Sequence, residues 1–317
     1  MNVTERVIQE QFAFWQGAIS AELPKIDAPL VVVVGCGTSY YLAQTIAAAF
    51  NQHGQNAIAV PGGEWARRPS SYVADRQGIV VVALSRSGES TETVQAVDAA
   101  KAAGLRTIAI TCEKDSSIAR TAAETIFLPT HAEEGVVMTS SASLMLIAGL
   151  RLAGATLNAA ITTAAAVPLA ILGDIDAAFI SNRSHFVYLG AGALYGIASE
   201  GALKLQEMSI SYAQTFHPME YRHGPISLID EGSIVVLLYS EDTLAEEAQL
   251  ALEIQEKGGK VIGVGGPGDI SIPLKGSDLA RIPEMLPALQ VFGERIAESK
   301  QIDTTAPRHL TKVVVLA

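Results

Sequence analysis

A pattern of an apolar strand, a glycine turn and a helix occurs twice in this sequence. Residues 31–34 are consecutive valines that lead into a Gly-Cys-Gly turn and an apolar helix. Residues 186–189 lead in the same way into a Gly-Ala-Gly turn and a helix, so that Gly35 and Gly190 lie at matching positions, 155 residues apart. A strand, a tight turn and a helix in this order form one βα unit. The chain therefore contains two related βα units.

Two further apolar runs repeat at almost the same offset. The run 79–84 is matched by 234–238, and the run 107–110 is matched by 261–264. Three matches at one offset indicate a duplication, with the boundary between the copies near residues 160–180. Buried strands that alternate with helices predict parallel sheets covered on both faces. The predicted fold class is α/β, with two tandem parallel-sheet domains.

The predicted domains follow from these runs. A helical segment over residues 1–28 precedes a first domain over 29–165, and a second domain occupies 175–317. A length of 317 residues suits two domains of ordinary size. Ligands of parallel α/β sheets bind at the carboxyl ends of the strands, so the loops that follow the strands are expected to carry the site.

Charge and cysteine content narrow the functional classes. The chain has 22 Lys and Arg against 33 Asp and Glu, a net charge of −11, which disfavours a nucleic-acid partner. Two cysteines are too few for a disulfide framework, and this predicts a reducing compartment, the cytoplasm. Charged and polar residues interrupt the apolar segments, so no membrane partner is expected. The six histidines lack the spacing of a metal site, and no metal is predicted.

A hydroxyl-rich loop follows the apolar run 79–84. The loop contains Ser85, Ser87 and Ser90, and a helix over about residues 92–103 begins directly after it. Side-chain hydroxyls, backbone N–H groups and the positive end of a helix dipole together favour an anion. The loop therefore predicts a phosphate-binding site.

Hydroxyl residues also follow two other predicted strands. Thr38 and Ser39 come after the run 31–34, and Thr139 stands where a later helix opens. Each of these residues alone is explained equally well as a helix N-cap. Hydroxyl loops on three strands of one sheet favour a single phosphate site. A dinucleotide site is the weaker alternative, because Tyr40 occupies the third glycine position of that motif.

Ionisable residues form a stripe on the helix that starts at Leu194. Glu200, Lys204 and Glu207 are spaced four and three residues apart, which places them on one face. A solvated salt-bridge stripe is the ordinary explanation of such spacing. The rest of the helix is largely apolar, so the stripe is predicted to face a polar site inside the protein.

These residues resemble the sugar isomerase (SIS) domain family, in particular the isomerase half of glucosamine-6-phosphate synthase. The resemblance covers nearly the whole chain and implies two flavodoxin-like domains in tandem. It rests on five motifs in the family's order: Gly35-Cys36-Gly37-Thr38-Ser39, Ser85-x-Ser87-Gly88-Glu89, Glu200-Gly201-Ala202-Leu203-Lys204-Leu205-x-Glu207, Arg222-His223-Gly224-Pro225 and Pro307-Arg308-x-Leu310-x-Lys312.

The resemblance implies roles for the residues of these motifs. Glu207 is the expected proton-transfer base, and His223 is expected to open the sugar ring from the partner subunit of a homodimer. Lys204 is expected nearby, and Lys312 matches a lysine that meets the ketose carbonyl. The resemblance also implies that Ser39, Ser85, Ser87 and Ser90 hold the sugar phosphate, and Arg86 stands where the family has Gln. With the residues selected by the hydroxyl pattern and the stripe, the expected substrate-binding residues are Thr38, Ser39, Ser85, Arg86, Ser87, Ser90, Thr139 and Glu200.

The function implied is aldose–ketose isomerisation of a hexose or hexosamine 6-phosphate through an enediol or, for an amino sugar, an enamine, with no cofactor. Deamination of an amino-sugar phosphate is a close alternative, because the same proton transfer then gives an enamine that water hydrolyses. A phosphosugar sensor is the alternative from another class, although no output module such as a helix-turn-helix is recognisable. Only about 28 residues precede the first βα unit, so no glutaminase domain and no glutamine dependence are expected.

The C-terminal tail is predicted to end in a strand. Residues 313–316 are β-branched or otherwise apolar, which favours an edge strand. Lys312 comes immediately before this run, so a buried strand would fix the position of its amine at the site, next to Lys204.

Overall fold

The computed structural model describes residues 1–315, which form two compact units. The first unit consists of residues 9–159 and the tail residues 311–315, and the second consists of residues 1–8 and 160–310. Helix α1 (Val3–Glu10) runs from the second unit into the first.

A five-stranded parallel sheet forms the centre of the first unit. Its order is β2-β1-β3-β4-β5. The bounds are β1 (Val31–Gly35), β2 (Ala57–Pro61), β3 (Val80–Ser85), β4 (Arg106–Thr111) and β5 (Glu124–Phe127). Every residue of β1 and β3 is buried, which explains why these strands read as unbroken apolar runs. The helices are α2 (Phe12–Ser20), α3 (Thr38–Gln52), α4 (Gly62–Arg67), α5 (Thr91–Ala102), α6 (Ser117–Thr121) and α7 (Ser140–Leu152), with a 3₁₀ turn at Pro69–Ser71.

A second five-stranded parallel sheet forms the centre of the second unit. Its order is β7-β6-β8-β9-β10, so the strands of both sheets are arranged in the same sequence along the chain. The strands are β6 (His185–Gly190), β7 (Ala213–Phe216), β8 (Ser233–Leu238), β9 (Lys260–Val264) and β10 (Ile270–Ile272). The helices are α8 (Ala160–Gly173), α9 (Ala177–Ile180), α10 (Leu194–Ser209), α11 (Pro218–Tyr221), α12 (Leu244–Glu256) and α13 (Ile282–Ser299), with 3₁₀ turns at Pro225–Leu228 and Asp278–Arg281.

The predicted fold class is confirmed. Both sheets are wholly parallel, and each reverses its winding between its first and third strands, as a flavodoxin-like sheet does. In the first unit this switch point lies between β1 and β3, and a ligand of such a sheet binds there, outside the carboxyl ends of the strands. The loops after β1 and β3 are those that the hydroxyl pattern selected.

The glycine turns of the two sheets match in detail. A Cβ on Gly35 would lie 2.6 Å from the backbone of Ser39, and a Cβ on Gly190 would lie 2.6 Å from the backbone of Leu194. Both glycines therefore allow a helix to start very close to the end of its strand. Gly37 and Gly192 complete the turns with φ of 54° and 53°, a region that favours glycine.

The units divide the chain differently from the predicted domains 29–165 and 175–317. The division falls between residues 159 and 160, and the tail groups with the first sheet. Two hydrogen bonds explain why the tail groups with the first sheet. Arg86 donates to the carbonyl of Lys312, and the N–H of Thr91 donates to the carbonyl of Val314. In the second unit, an ion pair of Glu5 with Arg295 ties the N-terminal residues to α13.

The predicted tail strand is wrong for the residues that the structure describes. Residues 313–315 form no strand, and Val314 and Val315 are 51% and 71% exposed. Leu316, which the predicted strand included, lies outside the described residues. β-branched residues favour a strand only where a neighbouring strand offers hydrogen bonds and an apolar face. Among the described residues, no helix is long and apolar enough to cross a membrane.

Candidate functional site

A small cavity lies at the switch point of the first sheet. It measures about 50 Å³ and is lined by Cys36, Ser39, Leu84, Ser85, Arg86, Ser87, Ser90, Thr93, Met138 and Lys312. Pockets that enclose a whole drug-sized ligand measure roughly 300–1,000 Å³. The cavity therefore fits an anchoring group such as a phosphate rather than an entire sugar. We call it the phosphate cavity.

The serines of the phosphate cavity are prepared to donate hydrogen bonds. Ser85 Oγ accepts the N–H of Gly88 at 3.0 Å, and Ser87 Oγ accepts the N–H of Glu89 at 3.2 Å. A hydroxyl whose oxygen accepts an N–H keeps its own proton available, and that proton rotates to meet an acceptor. Gly88 makes this turn possible with φ of 63°, and a Cβ there would collide with Ser116.

The start of helix α5 adds a favourable dipole to the phosphate cavity. Ser90 is the N-cap residue, yet its side chain makes no capping hydrogen bond. The N-cap explanation of this hydroxyl is therefore not supported, and Ser90 lines the cavity instead. The N-terminal turn of a helix carries a positive partial charge that stabilises an anion.

The acidic residue of this loop points to another partner. The carboxylate of Glu89 accepts the N–H and the hydroxyl of Ser117, at 2.7 and 2.6 Å. These bonds, chiefly that of the Ser117 side chain, lower the pKa of Glu89. The negative charge of Glu89 is thus bound at the start of α6, so the phosphate cavity remains suited to an anion.

Three predicted substrate-binding residues, Thr38, Thr139 and Glu200, do not line the phosphate cavity among the residues that the structure describes, and Glu200 lies on α10 of the second unit. Thr38 is the first residue of α3 and lies outside the cavity lining. Thr139 donates its N–H to the buried carboxylate of Glu134 at 2.6 Å, as does the N–H of Ser141 at 3.0 Å. A protein carboxylate therefore already occupies the anion-binding end of α7.

Glu134 was missed by sequence analysis. It is 3% exposed and also accepts the hydroxyl of Ser141 at 3.0 Å. A glutamate five residues before a helix opening with Thr-Ser-Ser is the signal that could have indicated this internal cap. The arrangement fixes the segment 134–139 against α7.

Arg86 and Lys312 approach each other at the edge of the phosphate cavity. The Arg86 guanidinium donates to the carbonyls of Gly135, Val136 and Lys312 at 2.8, 3.0 and 3.0 Å. The Lys312 amine donates to the carbonyl of Glu134 at 2.8 Å. The tail lysine therefore reaches the cavity even though the predicted tail strand is absent.

Cys36 is a further cavity residue that the predictions omitted. Its Sγ lies 3.5 Å from Thr93 Oγ1. Burial, opposed in part by the Thr93 hydrogen bond, raises the pKa of the Cys36 thiol. The side chain is therefore a neutral thiol near pH 7, which suits a packing role beside an anion better than a nucleophilic one.

The predicted stripe on α10 is a buried charged cluster in the second unit. Lys204 is fully buried and pairs with Glu207 and, at 3.5 Å, with Glu200. Glu200 is fully buried as well, whereas the Glu207 side chain is 21% exposed. Burial alone would lower the pKa of Lys204, but the two carboxylates outweigh it and raise that pKa. The cluster therefore has a positively charged centre at neutral pH and one accessible carboxylate.

Close packing explains why α10 can bury these groups. A Cβ on Gly201 would lie 2.8 Å from Tyr188 of β6 and 2.9 Å from Leu289 of α13. Only glycine allows the helix to approach both neighbours at this point. The alternative of a solvated salt-bridge stripe does not hold for Glu200 and Lys204.

His223 lies in an exposed segment after α11. Within the described part of the chain, no hydrogen bond or ion pair joins its side chain to Glu207. Its neighbour Arg222 binds Glu253 of α12 at 2.9 Å, and this anchors the segment that carries the histidine. Whether His223 serves a partner's site stays a prediction.

Comparison of the sequence with known protein families identifies the family of this chain. Residues 26–155 and 179–272 match the SIS domain. The chain belongs to the SIS domain family. The two matched segments contain the first and second sheets respectively.

Several full-length proteins are similar to this SIS chain. It is 26% identical over 318 aligned residues to a glutamine–fructose-6-phosphate aminotransferase (isomerizing) of Thermotoga maritima, covering 92% of this chain and 52% of that protein. A Thermus thermophilus protein of the same description is 29% identical, with coverage of 90% and 52%. The chain thus spans about half the length of the curated relatives it matches.

Two solved structures are similar over nearly their full length. A glucosamine-6-phosphate deaminase of Thermotoga maritima is 28% identical, with a TM-score of 0.84 and coverage of 99% of this chain and 100% of that one. A tagatose-6-phosphate ketose/aldose isomerase of Escherichia coli is 25% identical, with a TM-score of 0.80 and coverage of 95% and 93%.

Within the described residues, no group of three or more His, Cys, Asp or Glu side chains could hold a metal ion.

Proposed function

We propose that this SIS protein catalyses aldose–ketose isomerisation of a hexose or hexosamine 6-phosphate. The observation that carries the proposal is the phosphate cavity, where the hydroxyls of Ser39, Ser85, Ser87 and Ser90 line a space at the start of α5. Hydroxyl donors and a helix N-terminus form a recurrent phosphate site. Its small volume leaves the sugar itself outside the cavity, where catalytic groups can reach it.

Glu207 is the proposed proton-transfer base, because it is the accessible carboxylate of the α10 cluster. It removes the proton from C2 of the open-chain aldose while the carbonyl oxygen at C1 gains a proton, which gives the enediol. It then returns the proton to C1 as the C2 hydroxyl loses its own, which gives the ketose. Both transfers use one group on one face of the enediol.

The two lysines have different proposed parts. Lys204 is fully buried between carboxylates, so its part is to hold Glu207 in place and supply a fixed positive charge. Lys312 lines the phosphate cavity from the tail, where its amine can stabilise negative charge that develops on the sugar oxygen. Neither part needs a cofactor.

A homodimer in the cytoplasm completes the proposal, with His223 of each chain aiding ring opening in the partner's site. The exposure of His223 is consistent with this role. Glu200 supports the α10 cluster from its buried position.

Deamination is the second candidate, favoured by the 28% identity to a solved glucosamine-6-phosphate deaminase over the full length of both chains. The first proton transfer on a 2-amino sugar gives an enolamine, and protonation at C1 gives a ketose imine. Water then attacks the imine carbon and ammonia leaves, so that one water is consumed for each ammonia released.

Product analysis separates the two reactions. The protein is incubated with glucosamine 6-phosphate and with a panel of hexose 6-phosphates, and the products are identified by NMR while ammonia is measured enzymatically. Isomerisation predicts a new hexose phosphate without ammonia. Deamination predicts ammonia and a ketose phosphate in equal amounts. Binding of a sugar phosphate without any turnover across the panel would favour the sensor and contradict the proposal.

A further inference from the structure

Arg86 stands in the phosphate loop, but its guanidinium binds backbone carbonyls. It follows Ser85, the last residue of β3, and precedes Ser87. Two of its hydrogen bonds go to Gly135 and Val136, and a third goes to Lys312. The side chain is 7% exposed, so these carbonyls take the place of water around a nearly buried cation.

The segment 134–136, which supplies two of the carbonyls that bind Arg86, also binds the Lys312 side chain. The Lys312 amine donates to the carbonyl of Glu134, and Arg86 bonds the Lys312 carbonyl and the next two residues of the segment. Lys312 is thus held at two points, its amine and its backbone. The segment 134–136 is itself fixed, because the Glu134 carboxylate caps α7.

We propose that Arg86 is a positioning residue, which clamps the C-terminal tail to the segment 134–136 so that the Lys312 amine stays at the phosphate cavity. This proposal rests on the proposed function and deepens it. Arg86 acts through Lys312 and makes no contact of its own with the substrate. The contribution of the tail to the site therefore depends on a residue within the phosphate loop.

The chemistry of arginine suits this role. A guanidinium presents five N–H donors in a rigid planar fork, so one side chain can reach three carbonyls at once. A lysine amine is a flexible point charge, and a glutamine offers only two N–H donors on one nitrogen. Neither Arg86→Lys nor Arg86→Gln can therefore reproduce all three bonds.

The first experiment measures the clamp without any substrate. Hydrogen–deuterium exchange of the Thr91 N–H, which donates to the tail carbonyl of Val314, is followed by NMR and compared between the wild type, Arg86→Gln and Arg86→Lys. Release of the tail exposes this N–H, so both variants are expected to raise its exchange rate about tenfold. Arg151→Gln is the matched control, because Arg151 also ties two backbone carbonyls of the first unit, those of Ala18 and Ala21. Unchanged exchange of the Thr91 N–H in both Arg86 variants would overturn the clamp.

The second experiment asks whether Arg86 acts through Lys312. With the substrate found by product analysis, Arg86→Gln is expected to lower kcat on the order of 10- to 100-fold, the scale of a misplaced catalytic group, with KM changed less than about threefold. In a Lys312→Met background the same change should cost almost nothing further, because the amine is already absent. Direct substrate binding by Arg86 predicts instead additive losses and a raised KM, and that result would overturn the proposal.

The two experiments also separate this proposal from the proposed function. If no sugar phosphate is turned over, the isomerase proposal fails, while exchange of the Thr91 N–H still tests the clamp. If turnover is normal in Arg86→Gln although the Thr91 N–H exchanges faster, the function stands and the positioning role is refuted. Circular dichroism and melting temperature verify that each variant is folded. If Arg86→Gln does not fold, Arg86→Lys, which keeps the charge, decides the same questions.

Discussion

At the scale of single residues, the phosphate cavity depends on how the hydroxyls of Ser85 and Ser87 are oriented. Each oxygen accepts a loop N–H, which holds the oxygen in place and leaves its proton available to a ligand. Such protons are suited to an incoming dianion. Sequence alone indicated the hydroxyls but could not give this orientation, because it depends on the turn at Gly88.

Replacing both serines should weaken the binding of a sugar phosphate selectively. A hydrogen bond to a charged group contributes about 1.5–3 kcal/mol, so Ser85→Ala with Ser87→Ala should raise Kd at least about tenfold. The unphosphorylated sugar should bind unchanged. Isothermal titration calorimetry measures both ligands, with Ser20→Ala as the control, since the hydroxyl of Ser20 donates to the carbonyl of Gln16 in its own helix. Equal weakening for both ligands would contradict the phosphate assignment.

At the scale of elements, helix α10 shows what buried charges require. Lys204 balances two carboxylates, and Glu200 has no exposure to water. Removal of one partner of a buried ion pair leaves an uncompensated charge, which costs about 3–5 kcal/mol. The α10 cluster therefore links the stability of the fold to the proposed catalytic role of Glu207.

Lys204→Met should lower the free energy of unfolding by roughly 3–5 kcal/mol, and Lys204→Met with Glu200→Gln should recover part of the loss. Urea unfolding measures both, and Lys101→Met, in the exposed last turn of α5, is the control. The folded-state pKa of Lys204 is raised above 10.5, so its stabilisation is complete below that pH and is lost as pH rises through the folded pKa. The Lys204 variant should lack this alkaline loss. A change within 0.5 kcal/mol, the range of a surface substitution, would contradict the buried pair.

The sequence predicted the elements that carry a strong local signal. The valine run of β1, the glycine turns and the spacing of the α10 cluster each specify structure over a few residues. The tail had no such signal, because Val314 and Val315 look like a strand but their environment is set by distant residues. The bond from Arg86 to Lys312 joins residues 226 positions apart, and no local pattern reports it.

The candidate site was likewise predicted only where its residues carry a local sequence signal. The phosphate serines follow directly from the loop after β3, and the structure brings Ser39 to the same cavity. Thr139 was assigned to the substrate because Glu134, which takes its donors, lies outside any motif that the hydroxyl pattern selects. Competition between a protein carboxylate and a ligand cannot be read from residue types alone.

At the scale of the whole molecule, the predicted homodimer has a direct consequence for activity. If His223 serves the partner's site, a mixed dimer of His223→Ala and Glu207→Gln chains contains one site with both native residues. Random exchange of subunits between two inactive variants should then restore about a quarter of the wild-type activity, since half of the dimers are mixed and one of two sites is intact. Enzyme assays after exchange, verified by mass spectrometry of tagged chains, measure this recovery. No recovery would place His223 and Glu207 in the same chain's site or exclude His223 from catalysis.

The net charge of −11 makes local donors essential for an anionic substrate. A phosphate approaching this protein meets overall repulsion, which salt screens beyond about 10 Å at 0.1 M ionic strength. Binding therefore depends on the hydroxyls, the α5 dipole and Lys312 within the first unit.

Proton exchange into solvent tests the central claim most directly. Hexose and hexosamine 6-phosphates are incubated in D₂O with the wild type, with Glu207→Gln and with the control Glu298→Gln, whose carboxylate pairs with Arg295 at the surface. The C1 or C2 proton signal is then followed by NMR. We expect the wild type and the control to exchange that proton in at least one sugar phosphate, and Glu207→Gln to exchange it at least about 100-fold more slowly while binding it with similar affinity. Undiminished exchange in Glu207→Gln, or no exchange of any bound sugar phosphate by the wild type, would contradict the account.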